Sequence, residues 1–180
     1  MDRGEAPGKL VVRLAGVGDV EAVAALVESA YRGESSRRGW TTEADLLDGQ
    51  RTDAGEVGEL VRSRDHSVLC AFRDGALVGC CDVSRHDDRG HFAMFAVRPE
   101  RQGAGIGSTL LARAEATVVR WGCRTMRMWV ISARTDLLAW YGRRGYEETG
   151  TSEPFPYGDE RFGVPRREGL ELVEIQRTLV

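Results

Sequence analysis

No apolar run in this sequence approaches the roughly 20 residues needed to cross a bilayer, so a membrane span is not expected. The stretch from Met1 to Lys9 is polar, carries Gly and Pro, and lacks the apolar centre of a secretory signal. Its first eight residues are expected to form a flexible tail. There is no CxxC, and no His stands at zinc-ligand spacing from a cysteine, so no metal site is expected. The four cysteines, Cys70, Cys80, Cys81 and Cys123, sit instead in apolar stretches. Reduced thiols packed as small hydrophobes, and a cytoplasmic location, are the expectation. Concentrated positive charge is also missing. The formal net charge is −3, and the arginines are scattered apart from Arg37-Arg38, Arg143-Arg144 and Arg166-Arg167, which read as solvated surface. A protein that grips nucleic-acid phosphates normally shows a basic face, so nucleic acid is not an expected partner. Repeats, linkers and low-complexity tracts are absent too, and 180 residues fit one domain with one buried core.

What is present alternates between strand and helix patterns. Lys9 to Leu14 reads as a strand. Asp19 then stands where an N-cap would, before Val20, Val23, Ala24, Val27 and Tyr31 at helical spacing. Thr42 to Leu47 predicts a short helical stretch capped by Thr42, and Gly55 to Arg64 a second helix. Strand-like runs follow at Val68 to Phe72 and Leu77 to Ser84, split by the turn dipeptide Asp74-Gly75, and at His91 to Val97. A helix from Ile106 to Trp121, a strand from Met126 to Ile131 and a helix from Asp136 to Arg144, closed by Gly145, come next. Tyr146 to Thr151 begins another strand, Glu153 to Arg167 is a Pro-containing loop, and Leu170 to Leu179 alternates as a half-buried strand does. This order predicts an α/β (α+β) fold, with a mixed, mostly antiparallel sheet of about seven strands flanked by helices.

The strongest chemical signal is Val97-Arg98-Pro99-Glu100-Arg101-Gln102-Gly103-Ala104-Gly105-Ile106-Gly107-Ser108. A strand ends at a proline, a glycine-rich turn follows, and a helix starts. Glycines at 103, 105 and 107 let the backbone curl and approach a ligand closely. The unpaired amides of the first helical turn then converge on an anion, aided by the helix dipole, and a diphosphate is a natural occupant. Alone, such a turn serves equally well to make a tight bend. It is neither a P-loop, since no Gly-Lys-Ser/Thr follows, nor a dinucleotide fingerprint, since position 108 is Ser.

Gln102-x-x-Gly105-x-Gly107, after a strand ending Ala96-Val97-x-Pro99, resembles the acetyl-CoA signature of the GCN5-related N-acetyltransferase family. Leu137-Leu138-Ala139-Trp140-Tyr141-Gly142-Arg143-Arg144-Gly145-Tyr146 resembles that family's later helix, and the element order agrees along nearly the whole chain. The resemblance implies an acyl-CoA N-acyltransferase fold and acetyl transfer from acetyl-CoA to an amine of a small molecule or peptide, by direct attack through a tetrahedral intermediate. It implies that backbone groups of Phe95 and Val97 pair with the pantetheine arm. An amide near Ala96 or Val97 would polarise the thioester carbonyl. Amides from Gln102, Gly103, Ala104, Gly105, Ile106, Gly107 and Ser108 would cradle the pyrophosphate. Tyr141 would hand a proton to the leaving thiolate, although an aromatic on a short helix also serves as core packing. Where the family often has Asn seven residues before this Tyr, the chain has Arg134, which either meets a phosphate or faces water. A catalytically silent acyl-CoA-binding domain is the alternative, and members are commonly monomers or homodimers.

For a general base, His91 is preferred, because imidazole titrates near neutrality and period-two alternation puts His91, Ala93, Phe95 and Val97 on one face. A strand-end His facing solvent is the other reading, and Glu43, Asp45, Asp82, His86 and a water chain are rivals. The acceptor is expected against Gly39 to Asp45, with Trp40 walling a pocket and Glu43 and Asp45 attracting a cation. The other reading of that segment is a capped turn with surface acids. Pro154-Phe155-Pro156-Tyr157 would close the pocket from the far side.

Overall fold

The structure is a computed structural model in which residues 8–180 are described. The expected tail therefore lies, except for Gly8, outside the described residues. Strand β1 (Val11–Leu14) passes through one 3-10 turn into α1 (Val20–Tyr31). Asp19 occupies the cap position, but its carboxylate turns back onto the Gly16 amide and the Arg13 guanidinium. A short helix α2 (Gly33–Ser36) follows. The helix expected from Thr42 to Leu47 is replaced by a single turn, held by the Leu46 and Leu47 amides on the Glu43 carbonyl. It stops there because the buried Leu47 enters β2 (Leu47–Asp48). Helix α3 (Ala54–Arg62) starts at Asp53, whose side chain accepts from the Glu56 amide at 2.8 Å.

The sheet is built from β3 (His66–Arg73), β4 (Ala76–His86) and β5 (Arg89–Val97), then β6 (Thr125–Ile131) after α4 (Ile106–Arg120). Helix α5 (Thr135–Gly142), β7 (Glu147–Pro154), the two-residue β8 (Val164–Pro165) and β9 (Glu171–Thr178) complete the chain. Asp74 and Gly75 both have positive φ, as a tight hairpin turn between β3 and β4 requires. The seven long strands are ordered β1-β3-β4-β5-β6-β9-β7, antiparallel everywhere except between β5 and β6. This is the expected mixed, mostly antiparallel sheet.

Helices cover both faces. Val23 and Val27 of α1 and Val57 of α3 pack with Val68, Cys70, Cys80, Met94 and Ala96. On the other face Ile106, Leu110, Ala114 and Val118 of α4 pack with Phe92, Val83 and Met128, and α5 lies beside them. Helix α4 approaches so closely that a Cβ on Gly90 would sit 2.3 Å from Val118 Cγ2. All four cysteines are buried and free.

Two irregularities in β5 decide where function can sit. First, β5 pairs with β6 only from Arg89 to His91, so the strands part before Val97. Second, the β4–β5 register shifts between Cys80 and Asp82, and Met94 takes a positive φ of 48°. This is a β-bulge, with an extra residue that swaps the faces of the strand. Phe92, Phe95 and Val97 meet the α4 side, whereas Met94 and Ala96 meet the α1 side. The expectation that His91, Ala93, Phe95 and Val97 share one face is thus corrected: alternation breaks at the bulge, and the two pairs face opposite ways.

Candidate active site

The Arg98 amide donates to the Val78 carbonyl. Antiparallel alternation then turns the backbone of Ala96 towards Cys80 on β4, and the backbone groups of Phe95 and Val97 outwards into the gap left by β6. Of the two amides considered as carbonyl polarisers, Val97 therefore has the open direction and Ala96 does not. The outward carbonyls already have partners: Phe95 accepts from the Tyr31 hydroxyl, and Val97 accepts from Gln102 Nε2 at 3.2 Å.

Beyond Val97 the chain curls through Gly103 and Gly105, with φ of +82° and +78°. A Cβ on either would meet nothing within 4 Å, so both glycines leave open space beside a backbone conformation that other residues rarely adopt. Gly105 starts α4 without a side-chain cap, leaving the first amides of a 15-residue helix unpaired. Around this turn lies a cavity of about 490 Å3, lined by the turn, Phe95, Val97, Trp40 and Trp140. Arg101, Arg143 and Arg144 also line it. The Arg144 guanidinium stacks 3.5 Å from the Trp140 ring centre and donates to Ser108 Oγ at 2.8 Å.

A second cavity, of about 480 Å3, lies on the far side of the gap and is lined by His91, Ala93, Met94, Tyr141, Arg51, Glu43, Arg134 and Phe155 among others. Tyr31, Phe95 and Leu137 line both cavities, so the two meet where β5 and β6 separate. Leu47 of the two-stranded β2–β8 ribbon also lines the second cavity, and the Arg166 guanidinium on the Ala44 carbonyl at 2.9 Å ties that segment down. Tyr141 is buried, with ring contacts to Phe95, Trp140 and Tyr146. Among the described residues its hydroxyl has no hydrogen-bond partner. Burial, with a smaller contribution from Tyr31, pushes its pKa well above the ordinary phenol value, so the proton stays on. His91 moves the other way. Burial, then the neighbouring His86, lowers it from 6.5 and favours neutral imidazole.

A sequence profile of the acetyltransferase (GNAT) family matches residues 22–146, which contain the glycine turn, the gap and Tyr141. The chain belongs to the GNAT acetyltransferase family. Its fold agrees with solved structures at low identity. The ribosomal-protein-S18-alanine N-acetyltransferase of Escherichia coli superposes with a TM-score of 0.71 at 13% identity, over 95% of this chain and 94% of that one. The yncA protein of Salmonella typhimurium, solved with its cofactor acetyl-CoA, gives 0.71 at 19% identity, over 95% and 94%. The PaiA N-acetyltransferase of Thermoplasma acidophilum, in complex with coenzyme A, gives 0.67 at 17%, over 94% and 99%.

Several residues of this GNAT acetyltransferase sit elsewhere than their sequence positions suggested. Trp40 faces the glycine-turn cavity, 6.4 Å from Trp140, and not the second one. Asp45 is exposed, pairs with Arg37 at 2.9 Å and lines neither cavity. Glu43 does line the second cavity, but Arg32 at 2.6 Å and Arg134 at 3.5 Å occupy its oxygens, which removes it both as a cation trap and as a base. Arg134 is neither at the glycine turn nor in water. It is 5% exposed and lines the second cavity. Asp82 is held by His66 at 2.8 Å, and His86 by Ser84 at 3.2 Å.

Sequence reading missed Tyr31, Arg51 and Arg144. Tyr31 closes the apolar stripe of α1, so its hydroxyl carried no separate signal. Arg144 was grouped with surface charge, although its position just beyond an aromatic helix next to a glycine turn was a usable hint. Gln102 was read for its amide. Its side chain also clasps the Trp40 amide at 2.9 Å and the Thr41 hydroxyl at 2.7 Å, tying that loop to the end of β5.

Proposed function

We propose that this acetyltransferase moves an acetyl group from acetyl-CoA to a primary amine of a small molecule or amino acid. The observation that carries the reading is the meeting of the two cavities at Tyr31, Phe95 and Leu137, with Tyr141 on the acceptor side. The first cavity fits a CoA diphosphate: its glycines leave a cradle open, its helix amides are unpaired, and three arginines border it. Neighbours solved with acetyl-CoA and with coenzyme A support the same occupant. Acetyl-CoA supplies an activated acyl carbonyl and a thiolate leaving group.

The chain's own residues do the rest. Amides of Ile106, Gly107 and Ser108 bind the diphosphate, and the arginines add charge. The outward Val97 amide faces the developing oxyanion, a contact typically worth about 3 kcal/mol of barrier. Tyr141, kept protonated by burial, donates to the departing sulfur. His91, kept neutral, accepts the proton of the incoming ammonium directly or through water. The second cavity has the size of a small-ligand pocket.

Titration calorimetry with acetyl-CoA, ATP and NAD, followed by thiol release across a panel of amines, tests the reading. Saturable binding of acetyl-CoA alone, with turnover of at least one amine, is expected. Absence of affinity for any CoA species would overturn it.

A further inference from the structure

The second cavity is lined by two arginines, Arg51 and Arg134, and two acids, Glu43 and Glu153, and Arg32 lies buried behind Glu43 outside the lining. Glu43 sits between two arginines, Arg32 and Arg134, whose side chains are 6% and 5% exposed. One carboxylate therefore serves two buried guanidinium groups. Arg134 Nη2, Arg32 Nε and Arg32 Nη2 are buried and have no hydrogen-bond partner. Arg134 reaches Glu43 only at 3.5 Å and Asp136 only at 3.8 Å, so its own donors are weakly used. A third cation, Arg51, lines the same cavity. Its guanidinium lies 5.7 Å from the Tyr31 ring centre and is in no ion pair among the described residues. The remaining acid of the lining, Glu153, is exposed.

Arg51 and Arg134 are the guanidinium groups that line the cavity, and a planar oxyanion engages such groups with paired charge-assisted hydrogen bonds. Arg134 stands at the cap of α5 and Tyr141 in its last turn, and both line the second cavity. We infer that the acceptor is an amino carboxylate, whose carboxylate binds Arg134 with help from Arg51 while its amine lies towards Tyr141. This rests on the acetyl-transfer reading above and narrows its acceptor class. The same cations disfavour an ammonium beside them, which helps the amine reach its neutral, attacking form.

The test uses reaction products as probes, so that no turnover is needed. N-acetyl derivatives of the twenty amino acids, and the matching N-acetyl amides, are titrated calorimetrically into the CoA-loaded protein. At least one N-acetyl amino acid is expected to bind, with its amide at least ~10-fold weaker. In Arg134→Gln that preference should fall to within about 2-fold. Arg51→Gln, which leaves the Glu43 cluster intact, should reduce it partially, and it guards against a folding defect in the first variant. Intact CoA binding with carboxylate and amide bound equally, or with no carboxylate bound at all, overturns the amino-carboxylate site alone. Loss of CoA binding in the unaltered protein overturns the acetyl-transfer reading and this inference together.

Discussion

The two cavities that meet at the β5–β6 gap are made of different material. About half of the residues lining the glycine-turn cavity come from one short segment, residues 97–108, whose glycines leave the backbone open, with arginines and tryptophans added from elsewhere. The second cavity is built from side chains of α1, the β2 segment, β5, β6, α5 and the β7–β8 loop, which are scattered along nearly the whole chain. A backbone site tolerates many side-chain changes but fails when its dihedrals are blocked. A side-chain site in a buried, charged setting fails one residue at a time. On the proposed reading, the difference also separates a general task, holding a shared cosubstrate, from a particular one, choosing an acceptor.

The largest effect should come from Tyr141→Phe. Removing the hydroxyl without disturbing the ring packing should lower kcat about 10²–10³-fold while calorimetric CoA affinity stays within 2-fold. A small kcat change would place proton donation elsewhere. Glu43→Gln should come next, because it leaves Arg32 and Arg134 buried without their shared anion. A loss of about 3 kcal/mol in urea unfolding is expected. On the other side of the gap, Gly105→Val forces a β-branched residue to φ +78° and should weaken acetyl-CoA binding at least ~10-fold, with little change in acceptor preference.

Smaller effects sharpen the same contrast. If neutral His91 takes the ammonium proton, kcat/KM should fall as pH drops through a value below the ordinary 6.5, because burial and His86 depress its pKa. The acid limb should vanish in His91→Ala. The linked stability change has the same sign: the unfolded chain binds the proton more readily, so stability declines as pH falls from 6.5 towards the folded-state value. The smallest effect is expected for Gln102→Ala. Losing its hydrogen bonds to Trp40 and Thr41 frees one wall of the first cavity and should raise KM for acetyl-CoA about 3-fold, with kcat nearly unchanged.

Much of this molecule was legible in its residues. Apolar periodicity marked the long helices and strands, and the glycines from Gly103 to Gly107 marked the turn into α4, because both signals are local in sequence. The helix that carries Tyr141 was legible for the same reason, having a recognisable aromatic and glycine ending. The helix expected after Thr42 failed because Leu47 finds a backbone partner at Pro165, more than a hundred residues away. Asp45 and Glu43 looked alike as acids two residues apart, yet the first faces water and the second joins two buried arginines.

By itself, then, the order of residues determined the sheet-and-helix frame and the glycine turn before α4, since hydrophobic spacing and glycine dihedrals act over a few positions. Only tertiary structure decided which way the strand faces beyond Met94, where Arg134 goes and what surrounds Glu43. A one-residue bulge inverts a whole strand's faces, and a buried charge takes its partners from whatever the fold brings beside it.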